Sequence, residues 1–286
     1  MNKIWFLVIL IAAIGIVLGL TIFPRHEKDK KGQIMQAEGN TSTAAAKDLS
    51  ITVSYDNNPY KERLKTAWGF SCVIRGTEKT ILFDTGGDGS ILLTNMEELG
   101  INPKEVDLVV LSHIHGDHVG GLSSFLRKNP EVVVYLPKSF PKGFKDEVKG
   151  YGAKIVEVQE PLKICEGVYS TGELGTWIKE QSLIIHTEKG LIVITGCAHP
   201  GIVKIVDKAI DLVKDDVLLV MGGFHLGGES RGEIENIVSS IRKLGVSYVG
   251  PCHCSGDTAR QLFKEEYGEN FINVGVGRVI TMNDLK

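Results

Sequence analysis

The chain has 286 residues, of which 43% are hydrophobic and 23% are charged, as expected for one large α/β domain with a small additional segment. Its net charge of −3, from 32 basic and 35 acidic residues, argues against a nucleic-acid-binding protein. The five cysteines are an odd number and too sparse for a disulfide scaffold.

The N-terminal segment differs in composition from the rest of the chain. Residues 4–23 are an uninterrupted apolar run, about long enough to cross a bilayer, and no small-residue cleavage site follows them. We therefore predict that residues 1–23 form a single N-terminal transmembrane helix, as a membrane anchor or an uncleaved signal. Residues 24–48 are predicted to be a flexible tether. The flanking charges leave open whether the catalytic domain lies on the cytoplasmic or the extracytoplasmic side.

Residues 49–286 are predicted to be the folded domain, and its first half is rich in strands. Asp84 follows the third of these strands in a glycine-containing turn, where it could cap the turn or orient a metal-bound histidine. Strands are predicted over 51–55, 70–74, 80–83, 106–111 and 132–136, with helices over 90–99 and about 119–128 and a loop with a short helix over 137–152.

The strand ending at Leu111 leads into the motif that dominates the sequence. His113 and His115 are two residues apart, so both imidazoles project from the same side of an extended segment. Gly116 lets the backbone turn, which directs Asp117 and His118 to an adjacent point. Neutral imidazole and carboxylate are common ligands of zinc, iron and manganese, and the motif therefore predicts a metal site.

The second half repeats one pattern three times: an apolar strand, a glycine-rich turn with a histidine, and a helix. The three histidines are His199, His225 and His253. In α/β sheets the functional groups collect at the carboxyl ends of strands, where these histidines are expected. His186, at the tip of a hairpin formed by residues 181–186 and 191–195, is interpreted as an exposed surface residue. Strands are also predicted over 154–158, 167–171, 217–221, 248–251, 273–276 and 278–281, and helices near 202–212, 232–244 and 258–267.

The pattern His113-x-His115-x-Asp117-His118, followed by His199 and His253 at strand ends, resembles the metallo-β-lactamase superfamily. The resemblance covers residues 49–286 and implies a four-layer αββα sandwich. Shorter segments are similar to the subfamily labelled 7,8-dihydropterin-6-methyl-4-(β-D-ribofuranosyl)-aminobenzene-5'-phosphate synthase. These segments are Tyr169-Ser-Thr-Gly-Glu173, Glu180-Gln-Ser182, Gly196-Cys-Ala-His-Pro-Gly201, Gly222-Gly-Phe-His225 and Gly275-Val-Gly-Arg278.

The resemblance implies two divalent metal ions, with zinc the first choice and manganese or iron as alternatives. His113, His115 and His199 would hold the first ion, and Asp117, His118 and His253 would hold the second. Many superfamily members carry a bridging Asp where this chain has Gly222-Gly-Phe-His225. His225 is therefore expected to face the substrate or to support a metal ligand, and the second metal site is expected to be weaker.

Three functions remain open from the sequence. The first is a dinuclear hydrolase that uses a metal-bound hydroxide, oriented by Asp117 as the catalytic residue, on a small and anionic ester, phosphoester or related substrate. The second is a dihydropterin-linked synthase or transferase of methanopterin-type biosynthesis. The third is a non-catalytic metal-binding or redox module. A small-molecule substrate and a membrane, but no nucleic acid, are the expected partners.

Overall fold

The computed structural model describes residues 48–286, in which strands and helices alternate along the chain. The strands are β1 (Ser50–Asp56), β2 (Phe70–Arg75), β3 (Ile81–Phe83), β4 (Leu108–Val110), β5 (Val133–Pro137), β6 (Lys154–Val158), β7 (Leu162–Cys165), β8 (Val168–Ser170), β9 (Leu183–Thr187), β10 (Gly190–Thr195), β11 (Val217–Gly223), β12 (Tyr248–Cys252) and β13 (Val279–Thr281). The helices are α1 (Gly89–Glu98), α2 (Gly116–Val119), α3 (Leu122–Lys128), α4 (Lys142–Gly150), α5 (Ile202–Val213), α6 (Arg231–Lys243) and α7 (Asp257–Tyr267). Short 3₁₀ turns lie at Pro103–Glu105, His253–Ser255 and Gly268–Asn270.

Within residues 48–286 the strands form one seven-stranded sheet, in the order β13-β1-β2-β3-β4-β5-β6, and one six-stranded sheet, in the order β12-β11-β10-β9-β8-β7. In chain order, each sheet starts with antiparallel neighbours and then adds parallel ones. The parallel strands are β3 to β6 in the first sheet and β10 to β12 in the second. Parallel neighbours need a crossover connection, which places helices over the outer faces of both sheets. The carboxyl ends of these parallel strands carry the site described below.

Alternation along the strands shows how the layers are built. In β2, Cys72 and Ile74 belong to the apolar cluster between the two sheets, whereas Val73 between them packs with the cluster beneath α1 and α3. In β10, Ile192 lies between the sheets and Val193 faces the cluster beneath α5, α6 and α7. Because both faces of each sheet are buried, the strands are continuously apolar. The four-layer αββα sandwich predicted from the sequence is confirmed.

One predicted helix and one predicted strand differ in the structure. The helix expected over 119–128 is divided between α2 and α3 at Gly120 and Gly121, where a Cβ would lie 2.3 Å from Gly87 O and 2.1 Å from Thr85 O. These glycines permit the close approach of the turn at residues 84–87. The strand predicted over 273–276 is not regular, and Val276 instead makes an isolated bridge with Pro59.

Two predictions about the chain are corrected. No helix within residues 48–286 is long and apolar enough to cross a membrane, and the membrane-anchored localisation predicted from the sequence is therefore withdrawn. The apolar run over residues 4–23, on which the transmembrane helix was predicted, lies outside the described residues. His186 is not an exposed surface residue: it is 7% exposed and its Nε2 lies 2.9 Å from Asp215 Oδ2. The hairpin tip packs against the turn before β11, which the local sequence pattern does not reveal.

Candidate metal centre

Six side chains from three connections converge at the carboxyl edge of the parallel strands. His113 and His115 follow β4, Asp117 and His118 lie on α2, His199 follows β10, and His253 follows β12. They form two groups in which all potential ligand atoms lie within 4.8 Å of one another. The first cluster is His113, His115 and His199. The second cluster is Asp117, His118 and His253, which also includes Cys197. The structure thus brings together the residues that the resemblance implied, in the same two groups.

The first cluster consists of imidazoles alone. His113 Nε2 lies 3.1 Å from His115 Nδ1, and the His199 ring centroid is 4.8 Å from that of His113 and 4.9 Å from that of His115. Nε2 of His199 is buried and has no hydrogen-bond partner among the described residues. A buried polar atom without a partner is costly unless an ion or ligand satisfies it.

The second cluster is more deeply buried and contains a carboxylate. His118 Nε2 and His253 Nε2 are 3.2 Å apart, and Asp117 Oδ2 lies 3.6 Å from the former and 3.2 Å from the latter. The side chains of His118 and His253 are fully buried, whereas that of Asp117 is 22% exposed. Asp117 therefore forms the solvent-facing side of this cluster.

Asp84 determines which nitrogens are free to bind a metal. Its Oδ2 lies 2.7 Å from His118 Nδ1, and the same oxygen accepts a 2.7 Å hydrogen bond from the Ser112 hydroxyl. The Ser112 oxygen can therefore accept from His113 Nδ1, at 2.9 Å. Neutral His118 and His113 are both held as the Nδ1–H tautomer, with the Nε2 lone pair facing the centre. One buried carboxylate thus orients a histidine of each cluster.

The donor set fits divalent metal ions. His253 Nδ1 lies 3.0 Å from Asn57 Oδ1, so in the neutral Nδ1–H forms the Nε2 lone pairs of His253 and His118 face each other at 3.2 Å. A cation at the centre, either a proton or a metal ion, relieves the repulsion between these lone pairs. Tetrahedral sites with ligand bonds of about 2.0–2.1 Å have ligand–ligand separations of about 3.3 Å, which is close to the distances in both clusters.

Burial and neighbouring charges set the pKa values of these ligands. Burial, together with the surrounding histidines, lowers the pKa of His113 well below its usual range and lowers that of His199 to about 4. Burial would also lower the pKa of His118, but the Asp84 carboxylate outweighs it and the pKa is raised. For Asp117, burial is outweighed by the hydrogen bond to His253 and by the charges of His118 and His253, which lower its pKa. Asp117 is therefore an anion, and His113 and His199 are neutral at physiological pH.

Glu180 is a functional candidate for which the sequence analysis assigned no role. Its carboxylate is 1% exposed and accepts hydrogen bonds from the backbone N–H groups of Gly196 (3.2 Å), Cys197, Ala198 and His199 (2.9 Å each). Burial raises the pKa of Glu180 while these bonds oppose the change. The carboxylate fixes the loop that presents His199. The only sequence signal was its place in the segment Glu180-Gln-Ser182, because the contact spans 16–19 residues.

His225 lies beside the first cluster but does not complete it. Its ring centroid is 4.3 Å from that of His199, and its ring groups with the thiols of Cys197 and Cys254. His225 has φ = 54°, and Asp84, Ala198 and His253 also have positive φ, of 54°, 58° and 50°. Non-glycine residues rarely adopt this conformation, and such residues cluster at functional sites. The expected role of His225 toward substrate or a metal ligand stays a prediction.

A cleft of about 590 Å³ opens beside the second cluster, lined by residues that include Asn57, Trp68, His225, His253 and Cys254. Trp68 is 60% exposed and its ring lies 4.8 Å from that of His253. Five basic side chains that could meet an anionic substrate have partners within the protein: Lys138 with Gln159, Lys142 with Asp146, Lys145 with Glu157, Arg260 with backbone carbonyls, and Arg278 with Asp284.

Comparisons with known proteins agree with this architecture. A family model described as the metallo-beta-lactamase superfamily matches residues 69–211. The chain is 31% identical to a 7,8-dihydropterin-6-methyl-4-(beta-D-ribofuranosyl)-aminobenzene-5'-phosphate synthase of Methanocaldococcus jannaschii, over 80% of this chain and 95% of that protein. It is 30% identical to Tm1679, described as a metal-dependent hydrolase of the beta-lactamase superfamily, with a TM-score of 0.67 over 81% of this chain and 98% of that one.

A more distant structure shows the fold alone. The short form of human tRNase Z is 15% identical and superposes with a TM-score of 0.56 over 81% of this chain and 98% of that chain. The family match and the relatives that are 30% or more identical confirm the resemblance predicted from the histidine motif. The chain belongs to the metallo-beta-lactamase superfamily.

Proposed function

We propose that the protein is a metal-dependent hydrolase with two adjacent divalent metal sites, acting on a small anionic ester, phosphoester or related substrate. The observation that carries this proposal is the pair of clusters in which the imidazole nitrogens, and in the second cluster a carboxylate, converge within 4.8 Å of one another. His113, His115 and His199 would hold one ion, and Asp117, His118 and His253 the other. Zinc is the first choice for both, with manganese or iron as alternatives.

Paired divalent ions in such a site lower the pKa of a shared water toward neutrality and polarise the substrate bond that is cleaved. The protein supplies orientation. Asp84 keeps His113 and His118 in the tautomer that leaves Nε2 free, and Glu180 holds the His199 loop. Asp117, as the ionised and partly exposed member, is placed to accept a proton from the attacking water and to orient it.

The surroundings of the centre favour a small substrate. The cleft beside His253 has a volume of about 590 Å³, within the usual range for small-molecule sites. Trp68 offers it an aromatic face, and Asn57 and Asn58 offer it amide groups. An anionic group is the expected partner of the metal ions themselves, since the nearby basic side chains are occupied by other partners.

The first experiment is to measure the metal content of the purified full chain together with its hydrolysis of phosphodiester, phosphomonoester, ester and lactam probes. We expect two zinc or manganese ions per chain and turnover that a chelator removes and added metal restores. A chain that binds no metal, or that binds two ions but cleaves no probe, would contradict the proposed hydrolase.

A second candidate is a dihydropterin-linked synthase, favoured by the 31% identity to the M. jannaschii synthase over 95% of that protein. The metal centre would then activate the pterin substrate for attack by an aryl amine instead of by water. Assays with a dihydropterin pyrophosphate and a phosphorylated ribosyl aminobenzene separate the two functions. Product formation that requires both compounds would favour the synthase. Bound iron with oxygen consumption and no turnover of either kind would favour a redox module.

A further inference from the structure

Cys197 belongs to the loop that Glu180 fixes, two residues before His199, and its side chain turns toward the second cluster. Its Sγ lies 3.2 Å from His118 Nε2, and the residue is 3% exposed. Asp117, His118 and His253 each place a potential ligand atom within 4.8 Å of this sulfur. Cys197 is thus a fourth donor at a cluster to which the resemblance assigned three.

The single hydrogen of a Cys197 thiol can reach only one of the acceptors around it. Nε2 of His118 lies 3.2 Å from the sulfur, while Nε2 of His253 and Oδ2 of Asp117 converge on the same point. A metal ion at the centre would contact all four atoms at once. In a tetrahedral zinc site, a sulfur and a nitrogen ligand are separated by about 3.6 Å, so the observed arrangement needs only a small expansion to admit the ion.

The end of β11 lies beside Cys197 and supplies no competing ligand at this position. Strand β11 ends with Gly222 and Gly223, which have no side chain that could bind a metal. A Cβ on Gly223 would lie 2.7 Å from Cys254 Sγ and 3.2 Å from Cys197 Cα, so the two cysteines occupy the space that a larger residue would need.

Cys254 supports the sulfur of Cys197. Its Sγ lies 3.3 Å from Cys197 Sγ and 3.7 Å from the Cys197 carbonyl oxygen, within reach to donate to a metal-bound Cys197 sulfur. Hydrogen bonds to a metal-bound sulfur stabilise its charge and fix its direction. Both cysteines are free thiols in the structure.

We propose that Cys197 is the fourth protein ligand of the second metal, as a thiolate that receives a hydrogen bond from Cys254. This rests on the proposed function in that a metal must occupy the second cluster. The thiol proton leaves to solvent when the ion binds. The two sites then differ in metal preference: a sulfur donor favours zinc or cobalt over manganese, whereas the first cluster of three imidazoles is less selective.

The test uses the full chain loaded with cobalt(II), whose bond to a thiolate gives a charge-transfer absorption band in the near ultraviolet. We expect the band in the unaltered protein, its loss in Cys197→Ser, and at least a ten-fold weaker second cobalt site in that variant. Cys254→Ala should keep the band, with its position shifted. Cys165→Ser is the matched control, because Cys165 lies on β7 in the core between the sheets, and it should behave like the unaltered protein.

The outcomes separate this inference from the proposed function. Two bound cobalt ions without a charge-transfer band would overturn the thiolate ligand and leave the hydrolase standing. A band that persists in Cys197→Ser and disappears in Cys254→Ala would assign the sulfur to Cys254 and also overturn the inference. A chain that binds no cobalt at all would remove both proposals. Circular dichroism of each variant verifies that the fold is retained.

Discussion

The two clusters of the centre lie side by side but differ in charge and in burial. The first consists of three imidazoles, and two of its members, His115 and His199, are half-buried. The second has the ionised carboxylate of Asp117 and two fully buried histidines. A divalent ion keeps its full charge among imidazoles but is partly neutralised by a carboxylate. An ion at the first cluster would therefore be the stronger Lewis acid, and an ion at the second would be partly neutralised by Asp117.

Among the variants that test this contrast, Asp117→Ala is expected to have the largest effect. Removing the one carboxylate should weaken metal binding at the second cluster while the first keeps its ion, and turnover should fall on the order of 10³-fold, the scale expected for losing a positioned proton acceptor. Metal analysis and initial rates measure both effects. Asp207→Ala, on the exposed face of α5, is the control. Full activity of Asp117→Ala would be incompatible with the proposed mechanism.

Asp84→Asn tests the carboxylate that orients one histidine in each cluster. An amide cannot accept strongly from both the Ser112 hydroxyl and His118 Nδ1, so His113 and His118 lose their enforced tautomers. We expect metal affinity to fall about 10- to 100-fold at both clusters, the usual cost of losing such a partner. Titration with a competing chelator resolves the two sites. If metal affinity falls at the second cluster alone, the hydrogen bonds from Asp84 through Ser112 to His113 do not influence the first cluster.

Glu180→Gln is expected to affect the first cluster more than the second. The amide replaces one carboxylate oxygen with a donor that faces backbone N–H groups, so the loop at 196–199 loses charge-assisted bonds. We expect about 3 kcal/mol less stability and a weaker first metal site, since His199 belongs to this loop. Thermal unfolding and metal titration measure these effects. Glu188→Gln, on the exposed hairpin turn, is the matched control, and equal losses in both variants would refute the role of Glu180.

The smallest expected effect is on the pH dependence of the metal-free protein. His113 and His199 have pKa values below 6.5 in the folded chain, so the unfolded chain takes up protons first and stability should fall between about pH 6.5 and 4. His118 has a raised pKa, so its contribution is complete below pH 6.5 and is lost as the pH rises through its folded value. Unfolding measured from pH 4 to 8 should show a shallower acid-side decline in His199→Asn. An unchanged acid limb in that variant would argue against the shift at His199.

The sequence by itself determined the family and the layers, and it pointed to six candidate ligands. Its repeated order of apolar strand, glycine turn and histidine placed His199 and His253 at strand ends, because the carboxyl ends of parallel strands share one edge. The spacing within residues 113–118 supplied four further donors, since local backbone geometry depends on neighbouring residues only. Continuous apolar strands were enough to indicate a sheet buried on both faces.

The tertiary structure decided which groups support these ligands. Asp84 reaches His118 across 34 residues and Glu180 reaches His199 across 19, and no local pattern encodes such contacts. Packing also explains the errors: His186 is buried against Asp215, and Gly120 and Gly121 divide a predicted helix where the turn at 84–87 approaches it. The sequence also did not reveal the contact of Cys197, because its neighbour His118 lies on α2, which follows a strand of the other sheet. A side chain's chemistry is local, whereas its partners depend on how distant segments pack.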